Sequence, residues 1–231
     1  MIRLIALCCL LWPAAGPARA DFVHNNLRFT LYHELGHAVI DQLDLYVFGT
    51  QETAADSFAM VLADRLLSEA EMTRLIIDVT DLGRQEAAEE LFDPWDEYMP
   101  GAQRLARAIC LYYGLDPAAR GMTARALGMP RDSEWDCADD ATVTEAAWAA
   151  VLHDLTPRPG SPRSLRPGRS GKALRLLSDD IARINSALTL PRPIPVIQVD
   201  CGEDNAFYLD VEERIEFCAE MVEALRMRRP Q

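Results

Sequence analysis

The sequence predicts an α+β protein that is mainly helical and has one small β-sheet. In the first two thirds of the chain, apolar residues recur every three or four positions, which is the period of an amphipathic helix. A β-branched segment suited to a strand comes only after residue 190. The 231 residues are 49% hydrophobic and 26% charged, a globular composition, and the chain is long enough to bury one sizeable core.

Residues 1–20 have the features of a secretory signal peptide. A basic start at Arg3 is followed by an uncharged stretch from residue 4 to 18, and the segment ends in the A-x-A sequence of residues 18–20. The alternative, a membrane anchor, needs about 20 apolar residues, whereas this run is shorter and contains Pro13. We therefore expect a secreted or periplasmic protein that has no stable membrane anchor after cleavage.

Residues 21–155 form the first segment of the mature chain, and their patterns predict helices. The expected helices are, in order, 28–45, 51–67, one that begins after Ser68, one that ends at Gly114 and one that begins at Thr142. Ser68 and Thr142 are each followed three residues later by glutamate, which is the capping-box pattern of a helix start.

Residues 156–171 predict a linker, since they include four prolines, three glycines and four arginines but no acidic residue. This composition is typical of an extended, exposed tether. The second segment, 172–231, follows it. Its patterns predict a helix over 172–189, a strand over 194–199, a hairpin around an acidic turn between 207 and 217, and a last helix over 218–227.

The charge balance excludes some classes of partner. The chain has 36 acidic and 23 basic side chains, a formal net charge of −13. Binding to nucleic acids or to anionic membranes needs a basic surface, so we expect neither. Acidity alone identifies no partner, and the oligomeric state leaves no mark in the sequence.

Four cysteines remain after signal cleavage, namely Cys110, Cys137, Cys201 and Cys218. An even number in an exported protein indicates two disulfides, for which three pairings are possible. We favour Cys110–Cys137 and Cys201–Cys218, because each pair lies within one segment. Buried free thiols are the alternative, and a four-cysteine zinc site is disfavoured because no C-x-x-C pair occurs.

His33, Glu34 and His37 form an H-E-x-x-H motif inside the first predicted helix. Residues i and i+4 lie one turn apart on one helix face, so both imidazoles can reach the same tetrahedral zinc ion. Glu34 can then take a proton from the water that zinc acidifies. Gly36 leaves room for a neighbouring element to pack closely. The alternative is an ordinary helix in which the motif occurs by chance.

A second pattern, E-T-A-A-D at residues 52–56, strengthens the zinc hypothesis. Glu52 and Asp56 share one face of the second predicted helix. Packed behind the first helix, Glu52 could complete the two-His, one-Glu shell of a catalytic site with one Zn²⁺ per chain. Asp56 could accept a hydrogen bond from the outer nitrogen of a ligand histidine. A solvated helix face is the alternative for both carboxylates.

HELGHAVI at 33–40 and ETAADSFA at 52–59 resemble the gluzincin metallopeptidases, and among these the ImmA/IrrE-like peptidases. The chain is still more similar to a bacterial metallopeptidase family of poorly defined function, which shares stretches like those at 103–117 and 201–218. The resemblance implies a zincin-like fold with the sheet packed on the active-site helix. It also implies that His33, His37 and Glu52 are zinc ligands, that Glu34 is the catalytic acid/base and that the cysteines are structural.

The order of the segments departs from that family. There, the stretch that resembles 201–218 precedes H-E-x-x-H, whereas here it follows. We interpret this as a circular permutation in which 172–231 completes the same domain as 21–155. Strands are expected only at 194–217, and a zincin needs them beside its active-site helix. A flexible linker makes such a rearrangement feasible.

Zinc-dependent hydrolysis of a peptide bond usually also needs a donor for the developing oxyanion. The candidates are His24, Tyr98, Tyr112, Tyr113, His153 and Tyr208. We favour Tyr208, because its segment should lie beside the site.

The sequence therefore predicts an exported zinc metallopeptidase of gluzincin type that acts on a peptide or protein substrate. Glu34 would activate the attacking water and pass its proton to the leaving amine. Two alternatives stay open: a non-catalytic zinc-binding module of the same fold, and a zinc hydrolase that acts on a non-peptide amide or ester.

Overall fold

The computed structural model describes residues 22–230, so the predicted signal peptide at 1–20 lies outside the described residues. The helices before the linker are α1 (Phe22–Gln42), α2 (Gln51–Leu66), α3 (Glu69–Glu89), α4 (Gly101–Leu115), α5 (Pro117–Ala126) and α6 (Glu134–Asp154). They are followed by β1 (Leu165–Pro167), α7 (Lys172–Leu176), α8 (Ser178–Ala187), β2 (Ile194–Val199), β3 (Ala206–Leu209), β4 (Arg214–Cys218) and α9 (Met221–Met227). The predicted α+β class, mainly helical with a small sheet, is confirmed.

Helix α1 is buried along almost its whole length. It contacts α2, α3, α9 and strand β3. Apolar side chains such as Leu31 and Leu35 are fully buried, and polar side chains such as Asn26 and Glu34 are buried with them. The helix begins at Phe22 rather than at 28, because a search for one apolar face does not detect a helix that is surrounded on all sides.

Two predicted helix starts are confirmed by their caps. At the start of α2, the Thr50 hydroxyl accepts a hydrogen bond from the Thr53 N–H, and Ser68 forms a capping box with Glu71 at the start of α3. The close packing expected at Gly36 is also present. A Cβ at this position would lie 3.0 Å from the Cα of Ala55, so α1 and α2 meet almost backbone to backbone.

The Cys110–Cys137 disulfide joins α4 to α6, as the sequence favoured. Gly114 lies against the backbone of Cys137, which lets the two helices pack closely. The predicted helix start at Thr142 is wrong, because α6 runs through this residue. Its hydroxyl donates to the Ala138 carbonyl one turn earlier, a bond that satisfies threonine inside a helix.

The four strands form one sheet in the order β1-β2-β4-β3. The β1–β2 and β2–β4 pairs are parallel, and β3 and β4 form the predicted antiparallel hairpin. The second favoured disulfide, Cys201–Cys218, links the chain before this hairpin to its end. Strand β3 lies at an edge of the sheet, beside α1, and so brings the hairpin to the helix that carries H-E-x-x-H.

The segment 156–171 is not exposed throughout, contrary to the tether predicted there. Strand β1 lies within it, and Leu165 is fully buried. The side chain of Asn185 accepts from the Leu165 N–H and donates to its carbonyl, which holds the strand against α8. A three-residue strand that contains arginine and proline has no recognisable pattern, so composition alone predicts a linker here.

Residues before and after this segment share one apolar core. Asp180 of α8 is fully buried and accepts 2.6 Å hydrogen bonds from His24 and Arg28 of α1. Glu71 of α3 likewise binds Arg183 of α8, 2.8 Å away. The helices over 22–230 include none that combines the length and apolarity needed to cross a membrane.

Candidate active site

His33 and His37 lie one turn apart on the face of α1 that contacts α2. Their Nε2 atoms are 3.1 Å apart. The carboxylate of Glu52, from the first turn of α2, faces both: Oε2 is 3.2 Å from Nε2 of His33, and Oε1 is 3.3 Å from Nε2 of His37. The structure thus brings together the three side chains that the sequence nominated as metal ligands.

These three side chains suit a metal cation. One ligand atom from each lies within 4.8 Å of the other two. The Oε2 atom of Glu52 is buried and makes no hydrogen bond to any described residue, although His33 is close. A buried carboxylate oxygen without a donor is costly unless a cation compensates it. Two imidazoles and a carboxylate are also a ligand set of catalytic zinc sites.

Asp56 lies behind His33, one helical turn after Glu52. Its Oδ1 is 2.8 Å from Nδ1 of His33. Arg104 of α4 donates to the same carboxylate through Nε at 2.6 Å and Nη2 at 2.8 Å. Because an ionised carboxylate only accepts, Nδ1 must carry a proton, which leaves Nε2, the nitrogen that faces Glu52, as the atom that could bind a metal. Asp56 thus lies where the sequence expected the partner of a ligand histidine.

The electrostatics of the cluster favour positive charge at its centre. Burial lowers the pKa of His33, but the hydrogen bond with Asp56 and the nearby carboxylates outweigh it and raise that pKa to about 9. Burial raises the pKa of the Glu52 and Asp56 carboxyl groups, but the proximity of His33 and their other partners outweigh it, so both pKa values fall below the ordinary range. Both carboxylates therefore stay ionised and attract a cation.

Glu34 lies beside the cluster, on the side of strand β3. The Tyr208 N–H donates to Oε2 of Glu34 at 2.7 Å, which ties the carboxylate to the free edge of the sheet. Burial raises the pKa of Glu34 above its ordinary value, although His33, His37 and the bond from Tyr208 oppose this. A carboxylate with a raised pKa is a stronger base, as general base catalysis at neutral pH requires.

The sequence assigned no role to Arg104, and it named Tyr98 only as one of six candidate oxyanion donors. Arg104 binds Asp56, and its guanidinium carbon lies 5.0 Å from the centre of the Tyr98 ring. Tyr98 comes from the loop before α4, and burial together with the nearby Glu52 carboxylate raises the pKa of its hydroxyl. Neither contact could be predicted from spacing in the sequence, because Tyr98 lies in a loop and Arg104 in a third helix.

The favoured oxyanion donor, Tyr208, is close to the site but its hydroxyl is engaged. It donates to Asp41 at 2.7 Å, one turn of α1 beyond His37. The remaining candidates His24, Tyr112, Tyr113 and His153 line neither of the two cavities beside Glu34. Tyr98 lines both, so the structure brings a different candidate to the ligand cluster.

Two cavities meet at Glu34. The larger, about 990 Å³, is a cleft between α1, the β3 hairpin and the loop that carries Tyr98. His37, Glu52 and Tyr208 line it, so a ligand in the cleft would contact the cluster. The smaller, about 380 Å³, extends from His33 and Glu34 toward apolar side chains such as Leu82 and Leu105. The arrangement suits an extended substrate that passes beside Glu34.

Comparison with known proteins supports the same class of chemistry. Neither the curated proteins nor the solved structures include a match to the chain. A family model does match, over residues 15–152 and 172–230, which together make up most of the chain. The family, DUF4344, carries the description "Putative metallopeptidase". The chain belongs to this metallopeptidase family.

Proposed function

We propose that this protein is an exported, zinc-dependent peptidase of gluzincin type. The observation that carries the proposal is the convergence of His33, His37 and Glu52 from two helices, with the buried base Glu34 beside them. A purely structural metal site needs no such base and no open cleft. The intact Glu34 and the cleft therefore favour an enzyme over a binding module.

His33, His37 and Glu52 would hold one Zn²⁺ per chain. When bound, the ion supplies Lewis-acid chemistry, since it polarises a carbonyl and lowers the pKa of water. Glu34 takes the proton of the attacking water and delivers it to the leaving nitrogen of the peptide. Asp56 holds the ring of His33 in place, and Arg104 holds Asp56. The Tyr208 N–H fixes the position of Glu34 before the substrate arrives.

The gluzincin assignment and the circular permutation belong to the same proposal. Strand β3 comes after the linker, yet it packs on the helix that carries H-E-x-x-H. This packing supports the idea that 172–230, which supplies three of the four strands of the sheet, belongs to the same domain rather than to a separate module. Two disulfides and the predicted signal peptide support export.

The test compares the wild type with Glu34→Gln and Glu52→Ala. We expect one zinc per chain in the wild type and in Glu34→Gln, measured by elemental analysis, and weakened binding in Glu52→Ala. We expect the wild type to cleave an unstructured protein such as casein, and expect Glu34→Gln to lose this activity while it keeps its zinc. A chelator should abolish the wild-type activity, and added zinc should restore it.

The remaining outcomes separate the alternatives. Zinc bound in the wild type without cleavage of any peptide, but with turnover of small esters or amides, would indicate a non-peptide hydrolase. Zinc bound without any turnover would indicate a binding module. A wild type that binds no zinc at neutral pH in the absence of chelator would overturn the proposal.

A further inference from the structure

Tyr98 reaches the metal-ligand cluster from outside the helices that build it. It belongs to the loop 91–100 between α3 and α4, and 44% of its surface is exposed. It lines the large cleft together with Glu52. A phenol in this cleft is a neutral hydrogen-bond donor that a substrate carbonyl bound beside the cluster could reach.

The ring of Tyr98 is held in this position by the same network that orients His33. The Arg104 guanidinium lies 5.0 Å from the ring centre, a cation–π distance. Arg104 is itself fixed by two hydrogen bonds to Asp56, and Asp56 binds His33. The position of the phenol is therefore coupled to the position of the ligands through a chain of close contacts.

Three tyrosines line the large cleft, and their surroundings differ. Tyr46 is 98% exposed at the rim of the cleft. The hydroxyl of Tyr208 donates to Asp41, so that its proton is directed away from the ligand cluster. Of these three tyrosines, only Tyr98 also lines the smaller cavity. Glu34 likewise lines both cavities. A substrate that passes from one cavity to the other would contact Glu34 and Tyr98 together.

We propose that Tyr98 is the catalytic hydrogen-bond donor that stabilises the transition state. Its hydroxyl, in the cleft that Glu34 also lines, donates to the oxyanion that develops on the scissile carbonyl, while Glu34 accepts the proton of the attacking water. The inference rests on the proposed peptidase function and names the donor that the function requires. No covalent bond to the tyrosine forms or breaks.

The test measures turnover by Tyr98→Phe, Tyr208→Phe and, as matched control outside both cavities, Tyr113→Phe, each loaded with zinc. Removal of one oxyanion donor typically lowers kcat by about 10²- to 10³-fold. We expect that loss in Tyr98→Phe, with KM changed less than threefold and zinc stoichiometry unchanged, and expect less than a threefold loss in Tyr113→Phe. Normal kcat in Tyr98→Phe, or the large loss in Tyr208→Phe instead, would overturn the proposal.

A binding measurement separates this inference from the proposed function. A phosphinic peptide mimics the tetrahedral transition state, whereas the peptide with an ordinary amide mimics the ground state. We expect Tyr98→Phe to lose at least tenfold in affinity for the phosphinic peptide but not for the ordinary peptide, in calorimetry on zinc-loaded protein. Equal losses for both ligands, or none, would overturn the role of Tyr98. Failure of the wild type to bind or cleave any peptide would instead overturn the peptidase function, and with it this inference.

Discussion

The carboxylate of Asp56 binds two side chains at once, His33 and Arg104. It therefore holds a proton on Nδ1 of His33, a proposed metal ligand, and anchors the Arg104 guanidinium that packs on Tyr98. Asparagine has nearly the same shape but no charge, and its N–H₂ group can donate to Nδ1 of His33. That would favour the tautomer whose proton is on Nε2, where the metal has to bind.

We therefore expect Asp56→Asn to weaken zinc binding by about 10- to 100-fold, the usual effect of losing a partner behind a ligand histidine. The measurement is a competition with a chromophoric chelator at neutral pH. Asp139→Asn is the matched control, because it makes the same charge change at an exposed position on α6. An affinity of Asp56→Asn within twofold of the wild type would contradict the orienting role.

The sequence predicted which side chains one helix brings together, but it did not predict which side chains only tertiary packing brings to the cluster. The i,i+4 pairs His33–His37 and Glu52–Asp56 each require only one helix, so their positions on common faces could be predicted. Arg104 and Tyr98 reach the cluster because α4 and its preceding loop pack on α2. Nothing in their own neighbourhood in the sequence marks that contact.

At the scale of elements, the separation of α1 and α2 determines whether the ligands can meet. Gly36 sets this separation, since a Cβ there would lie 3.0 Å from Cα and 3.2 Å from O of Ala55. Ala55 is three residues after Glu52, so a displacement of α2 at this contact also displaces the third ligand. Alanine otherwise favours a helix over glycine by about 1 kcal/mol, which opposes this effect.

We expect Gly36→Ala to lower the free energy of unfolding by about 1–3 kcal/mol, the usual cost of overpacking, and to weaken zinc binding. Gly83→Ala in α3 is the control, because its Cβ would meet only the Leu105 Cδ1 atom at an ordinary 3.5 Å. Urea unfolding and zinc titration of both variants provide the measurement. Gly83→Ala should be as stable as the wild type or more so; a Gly36→Ala variant that matches it would refute the close-contact argument.

The start of α3 predicts a pH dependence. The hydrogen bond from Arg183, together with those from Ser68, lowers the pKa of Glu71 to about 2, against about 4.3 for an unperturbed glutamate. A carboxyl group with a lowered folded-state pKa contributes stability that is present above the unfolded pKa and is lost as pH falls toward the folded one. The contribution should therefore disappear between about pH 4.5 and pH 2.

We expect Glu71→Gln, which keeps a capping side chain, to lose about 0.5–1 kcal/mol at pH 7, as suits a partly exposed ion pair. The difference from the wild type should narrow at pH 3 in urea unfolding. Glu145→Gln, at an exposed position of α6 with no ion pair to any described residue, should not show the same narrowing. A difference that is constant from pH 7 to pH 3 would mean that the carboxylate charge is not involved.

Sequence patterns located best the helices and strands that bury one face and expose the other. The β-branched strand 194–199, the hairpin and the capped starts of α2 and α3 were predicted within a few residues. The first turns of α1 and the strand β1 were not, because α1 is buried on all sides and β1 is three residues held by Asn185. A periodic pattern of apolar residues reveals neither a helix that is buried on all sides nor a strand of only three residues.

For the whole molecule, the question is whether the parts before and after the linker are one cooperative unit. Their interface includes the fully buried Asp180 with His24 and Arg28, besides a shared apolar core. Separation of the parts would break these bonds and expose the shared apolar core to water, so either part would be destabilised alone. Neither part alone contains both the ligand cluster and the sheet that holds Glu34.

The linker offers a place to test whether the two parts fold as one unit. A protease site inserted after the exposed Gly160 should allow the chain to be cut without separating its parts. We expect the cut protein to elute as one particle in gel filtration, to keep its zinc and to unfold in a single transition. Its midpoint should lie below that of the uncut protein, because the cut raises the entropy of the unfolded state. Two pieces that separate, or that unfold independently, would refute both the single domain and the circular permutation proposed from it.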